Sequence, residues 1–149
     1  MARVLIVNDS RFESMILKDT LSQLGYNVSI TDEYSAVKQV QAFTPDVVLA
    51  NYVMKDTFGD QLIERIKVRY PQIKCILTSN SELSRDDLKS GKVDAILKTP
   101  ADKEALEDML HDVFDAGNPS TGGGLEIKEI RATMRKWKSK LAEEKQFTM

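Results

Sequence analysis

The chain has 149 residues, a formal charge of −2 and one cysteine, Cys75. That length holds one domain of ordinary size and a short extension, and it excludes an internal disulfide, which fits a reducing compartment. No apolar stretch approaches the ~20 residues of a membrane helix, and Met1-Ala2-Arg3-Val4 opens into a strand pattern with no signal-peptide layout, so a cytoplasmic protein is expected.

Val4-Leu5-Ile6-Val7 reads as a first buried strand ending on Asn8-Asp9. Ser10 caps the next helix, with Glu13 completing a capping box. Phe12, Met15, Ile16, Leu21 and Leu24 are its predicted apolar stripe, and Gly25 its stop. Asn27 to Thr31 is a second strand. Ser35 to Phe43 is a helix with Ala36, Val37, Val40 and Phe43 inward, closed by Pro45. Asp46 to Ala50 is a short run, apolar on both faces, as in the middle of a parallel sheet; it ends on Asn51. A third helix starts near Gly59, carries Leu62, Ile63 and Ile66, and stops before Pro71. Cys75-Ile76-Leu77 is a fourth strand ending on Thr78-Ser79-Asn80. Ser84 to Ser90 is expected to form a short polar helix, and Asp94 to Leu97 a fifth strand ending on Lys98. After Thr99-Pro100, the residues Leu106, Met109, Leu110, Val113 and Phe114 recur with a period of 3.6.

Strands and helices alternating five times predict a doubly wound five-stranded parallel sheet with helices on both faces. The organisation expected is a globular domain over 1–116, a flexible linker over 117–124 and a basic amphipathic helix over 125–149. The linker is Gly-rich, with Asn, Pro, Ser and Thr between the glycines. In the last segment Ile127, Ile130, Met134, Trp137 and Leu141 recur at spacings of three and four. Residues 1–124 carry −5 and residues 125–149 carry +3, which suggests a tail with its own task.

Sites in open α/β sheets form beyond the carboxyl ends of the strands. Asn8, Asp9, Asn51, Thr78 and Lys98 all fall there. Carboxylate and amide oxygens, a hydroxyl and an ammonium suit a phosphoryl group with a hard metal ion.

These residues, in this order and with these elements between them, resemble the receiver domain of two-component response regulators, the flavodoxin-like fold of the chemotaxis regulator. The likeness covers about residues 2–116. Val7-Asn8-Asp9-Ser10 resembles the family's acidic pair, and Asn51-Tyr52-Val53-Met54 with Gly59 its phosphoacceptor loop. Thr78 and Lys98 match the switch threonine and the lysine. The resemblance implies a role in two-component phosphorelay signalling, without enzymatic activity of its own.

The departures are chemical. The acceptor is Asn51, and an amide is a very poor nucleophile where a carboxylate forms the acyl phosphate. With Asn8 also an amide, the metal-facing trio carries a formal −1. The Mg²⁺ site implied at Asp9, Asn8, Asn51 and the Val53 carbonyl is therefore expected to be weak or absent, with no other cofactor. Lys55 and Ala95 stand where the family has proline and the aromatic switch residue, and the family's proline is displaced to Pro100. Together these imply a pseudo-receiver that signals by protein–protein contact, with Lys98 and Asp9 paired across the pocket and Thr78 hydrogen-bonding nearby. A conventional regulator carrying an Asp-to-Asn change at Asn51 is an alternative.

Read singly, Asn51 is a strand-end cap, Thr78 an ordinary strand-end residue and Lys98 a solvated charge; they gain meaning as a set. His111 is expected to be a lone surface histidine and Cys75 a core residue. The tail, with Arg131, Arg135, Lys136, Lys138 and Lys140 around Trp137, admits three readings. Docking or homodimerisation ranks first. Another signalling protein, such as a histidine kinase or downstream effector, ranks second. A DNA- or lipid-binding effector with the receiver as sensor ranks third.

Overall fold

The computed structural model describes residues 2–116. Its elements are β1 (Arg3–Val7), α1 (Arg11–Gln23), β2 (Asn27–Thr31), α2 (Ala36–Phe43), β3 (Val47–Asn51), α3 (Gly59–Arg69), β4 (Lys74–Ser79), a 3₁₀ turn (Arg85–Asp87), β5 (Ala95–Lys98) and α4 (Lys103–Ala116). The five strands are parallel in the order β2-β1-β3-β4-β5. The strand order reverses between β1 and β3, so the crevice for a site opens at their carboxyl ends. The expected linker 117–124 and basic helix 125–149, with Ile127, Ile130, Met134, Trp137 and Leu141, lie outside the described residues.

Alternation along the central strands divides the core in two. Leu5, Val7, Val48, Ala50, Cys75 and Leu77 pack in one cluster with Ala36 and Val40 of α2 and Leu62, Ile63 and Ile66 of α3. The intervening residues Val4, Ile6, Leu49 and Ile76 are equally buried, and so are Leu17 and Leu21 of α1 and Leu106 and Leu110 of α4. Both faces of β1, β3 and β4 are dry, which is why these strands read as unbroken apolar runs.

Three expectations are corrected. The inward face of α1 is Ser14, Leu17 and Leu21, whereas Phe12, Met15 and Ile16 are 76%, 61% and 49% exposed. Two apolar stripes share this helix, and only one can meet the sheet. The capping box is half formed: Ser10 Oγ accepts from the Glu13 N–H at 3.3 Å, but the Ser10 N–H donates to Asn8 Oδ1 at 2.9 Å.

The third correction is the connection between β4 and β5. It holds one 3₁₀ turn where a helix over Ser84–Ser90 was expected. Its inward apolar residues, Leu83 and Leu88, stand five apart, a spacing that builds no helical stripe. Ser84 and Asp87 close the turn through their side chains. The stretch is instead fastened to α3. Asp60 accepts from the Lys89 N–H at 2.8 Å, Ser90 Oγ donates to Glu64, and Lys67 pairs with Asp94 at 2.7 Å.

Candidate functional site

The sheet register sets Asn51 beside Thr78 and Ser79 beside Lys98. Asn8 follows β1 directly, its N–H donating to the Thr31 carbonyl at 3.1 Å. Asn8 and Thr78 are buried, Asn51 is half-buried, and Asp9 and Lys98 are exposed.

Past β3 the chain turns back sharply. Tyr52 donates to the Thr78 carbonyl at 2.8 Å, and Gly59 donates to the Tyr52 carbonyl at 2.7 Å. Val53 bridges Phe58, and the Tyr52 and Phe58 rings lie 5.2 Å apart. Gly59 has no alternative: a Cβ there would stand 2.2 Å from the Asn51 carbonyl oxygen.

The polar groups of this crevice are engaged with one another. Asn51 Nδ2 donates to the Val53 carbonyl at 2.9 Å, and Asn51 Oδ1 accepts from Thr78 Oγ1 at 3.4 Å. Asn8 Oδ1 accepts from the Ser10 N–H, and Asn8 Nδ2 donates to Glu13 Oε2 at 3.1 Å. Asp9 Oδ2 accepts from the Lys55 N–H at 2.9 Å, and Glu33 accepts from the Asp56 N–H at 2.9 Å. Two carboxylates thus clamp the loop after β3.

The expected pairing of Lys98 with Asp9 does not occur. Lys98 Nζ pairs with Glu82, and that hydrogen bond and charge hold the Glu82 carboxyl below its usual range. Asp9 accepts from the Lys55 N–H instead, and β3 and β4 stand between β1 and the strand that carries Lys98. Thr78 hydrogen-bonds within the pocket as expected. Ala95 is half-buried in β5 and offers no ring to rotate. The peptide bond before Pro100 is cis, so the displaced proline keeps a cis X-Pro bond one residue beyond the position that the resemblance implies. His111 is half-buried, and Cys75 is a buried free thiol.

Glu13, Glu33 and Glu82 are partners that sequence reasoning missed. Only Glu13 left a signal, its place three residues after a helix cap, and its carboxylate goes to Asn8 instead.

Mg²⁺ demands near-octahedral oxygen coordination. Here the Asn51 N–H points at the Val53 carbonyl, and Asn8 Oδ1 and Asp9 Oδ2 each accept a backbone N–H. With Asp9 the one carboxylate among Asn8, Asp9 and Asn51, the set is a poor match for the ion. Among the described residues, no group of three or more His, Cys, Asp or Glu is placed to hold a metal, and no helix is long and apolar enough to cross a membrane.

The family model described as the response regulator receiver domain matches residues 4–111. The chain belongs to this family. Chemotaxis protein CheY of Thermotoga maritima is 33% identical over 101 residues, covering 64% of this chain and 84% of that protein. Regulator of RpoS of Escherichia coli K12 is 29% identical over 139 residues, which is 91% of this chain but 40% of that protein. The receiver also resembles the solved structure of Vibrio cholerae chemotaxis protein CheY4, with a TM-score of 0.70, 25% identity and coverage of 76% and 98% of the two chains. Five parallel strands with flanking helices are thus a flavodoxin-like receiver fold, and the family places the chain in two-component signalling.

Proposed function

We propose that this receiver works as a pseudo-receiver: a non-enzymatic signalling scaffold that contacts partner proteins without forming an acyl phosphate. One observation carries the reading. The Asn51 amide is held between the Val53 carbonyl and the Thr78 hydroxyl. A receiver's acceptor must present a free carboxylate oxygen to phosphorus; this side chain presents a neutral amide with both ends in use. One oxygen of Asp9 and one of Glu33 accept N–H groups of the loop after β3, tying that loop to the ends of β1 and β2. A partner then reads a surface set by packing rather than by phosphorylation. Such partners are signalling proteins, a kinase or a downstream effector.

The test is incubation of the full chain with acetyl phosphate and Mg²⁺, followed by intact-mass and peptide mass measurement. No phosphoryl adduct is expected. Phosphorylation within the receiver, at Asn51's peptide or elsewhere, overturns the reading.

A further inference from the structure

The α1 helix carries an apolar patch that the receiver core does not use. Phe12, Met15 and Ile16 are 76%, 61% and 49% exposed, yet they sit on the same 13-residue helix whose Leu17 and Leu21 are buried. Side chains of this size present on the order of 300–400 Å² of apolar surface between them. That is within the roughly 300–600 Å² of the largest apolar patch on a typical monomer, a patch that is often functional. Arg11 and Asp19 border the same concave surface. They stand eight residues apart on the helix, about 12 Å along its axis.

We propose that this face pairs with the same face of a second copy of the chain, α1 against α1 in antiparallel two-fold contact. Two features favour a second copy. The first is charge. Residues 1–124 carry −5, so two receivers repel over most of their surface, but α1 is neutral, with Arg11 and Lys18 balancing Glu13 and Asp19. A two-fold contact centred on Met15 and Ile16 sets Arg11 of each chain against Asp19 of the other, giving two compensating ion pairs at the ends of an apolar strip. The second is area. Doubling the patch gives about 600–800 Å² of apolar burial, the centre of a small specific interface whose rim completes roughly 1,200 Å².

The same contact reaches the degenerate pocket. Phe12 and Ile16 line a cavity of about 260 Å³ together with Pro100, Ala101, Asn8 and Thr78. Pairing through α1 closes the mouth of that cavity. Assembly and pocket are thereby coupled whether or not Asn51 accepts phosphate, so this inference stands apart from the functional proposal.

Sedimentation velocity on the full chain, from low micromolar to submillimolar concentration, tests it. The wild type is expected to associate to a dimer. Ile16→Glu, at an exposed position that leaves the core intact, is expected to weaken the dimer roughly tenfold or more. Asp19→Arg sets like charges against each other at both ends and weakens it too. The double variant Arg11→Asp with Asp19→Arg restores opposite pairing and recovers most of the affinity. Circular dichroism melts report that each variant folds. A wild type that stays monomeric throughout overturns the proposal. So does a dimer indifferent to Ile16→Glu, or one lost only in Trp137→Glu, which would place the contact on the tail. Failure of the double variant to recover overturns the antiparallel arrangement.

Discussion

Asn51 Nδ2 donates to the Val53 carbonyl oxygen at 2.9 Å, bringing an N–H to the backbone group that a receiver's metal would use. Replacing Asn51 by Asp removes the donor and sets a negative oxygen against the carbonyl. Asn51→Asp is expected to lose about 1 kcal/mol in metal-free buffer. Millimolar Mg²⁺ is expected to return part of it, because an ion that binds only the folded state stabilises it by linkage. Urea midpoints with and without Mg²⁺ measure both effects. A variant as stable as the wild type in metal-free buffer shows that the hydrogen bond contributes nothing.

Asn8 connects the crevice to α1. Its Nδ2 donates to Glu13 Oε2 at 3.1 Å, so Asn8→Asp converts a hydrogen bond into two facing carboxylates. A loss of about 1–2 kcal/mol is expected. Adding Glu13→Gln restores a donor and is expected to recover most of it. The double-mutant cycle reads the coupling directly; additivity within about 0.3 kcal/mol would deny it.

Gly59 backs onto β3 with no space for a side chain. An added methyl would meet the Asn51 carbonyl oxygen at 2.2 Å and Leu77 Cδ1 at 2.8 Å. The first neighbour is backbone and cannot rotate aside. Gly59→Ala is therefore expected to cost about 3 kcal/mol, at the upper end of overpacking effects. It is read as a fall in urea midpoint at unchanged m-value.

The Cys75 thiol is pushed by burial from 9.0 up to about 12; Lys67 opposes the shift and Asp94 adds to it. An acid whose pKa is raised on folding favours the native state while it stays neutral. Its contribution is complete below about pH 9 and is lost as pH rises from there toward 12, by at most about 1.4 kcal/mol per unit. Cys75→Ala is expected to flatten the stability profile above pH 9 while lowering stability at neutral pH through the cavity it leaves. Thiol labelling by an aromatic disulfide at pH 8 is expected to proceed only as fast as the protein opens.

The sheet was legible because β1, β3 and β4 are buried on both faces, and a dry strand writes itself as consecutive apolar residues. That Asn51 and Thr78 lie side by side followed from strand ends alone, whereas Lys98 turns to Glu82. What could not be read was which partner each polar group takes. Lys98 and Asp9 carry opposite charges at the same edge of the sheet, but on β5 and after β1, with β3 and β4 between them; Lys98 pairs with Glu82, and Asp9 accepts from the Lys55 N–H. Those partners sit in loops, where no periodicity reports direction. Phe12, Met15 and Ile16 misled for a related reason. Spacing marks an apolar face but does not say whether it meets the sheet or another molecule.

The stretch between β4 and β5 has a mechanical consequence. Asp60 and Glu64 hold Lys89 and Ser90, and Lys67 holds Asp94, all from one helix. A free-standing helix in that place could roll or slide against the sheet by itself. This ribbon is tied to α3 at Lys89, Ser90 and Asp94, so displacing that end strains its bonds to α3. Any protein that grips the ribbon therefore pulls on the helix that begins at Gly59, directly behind Asn51.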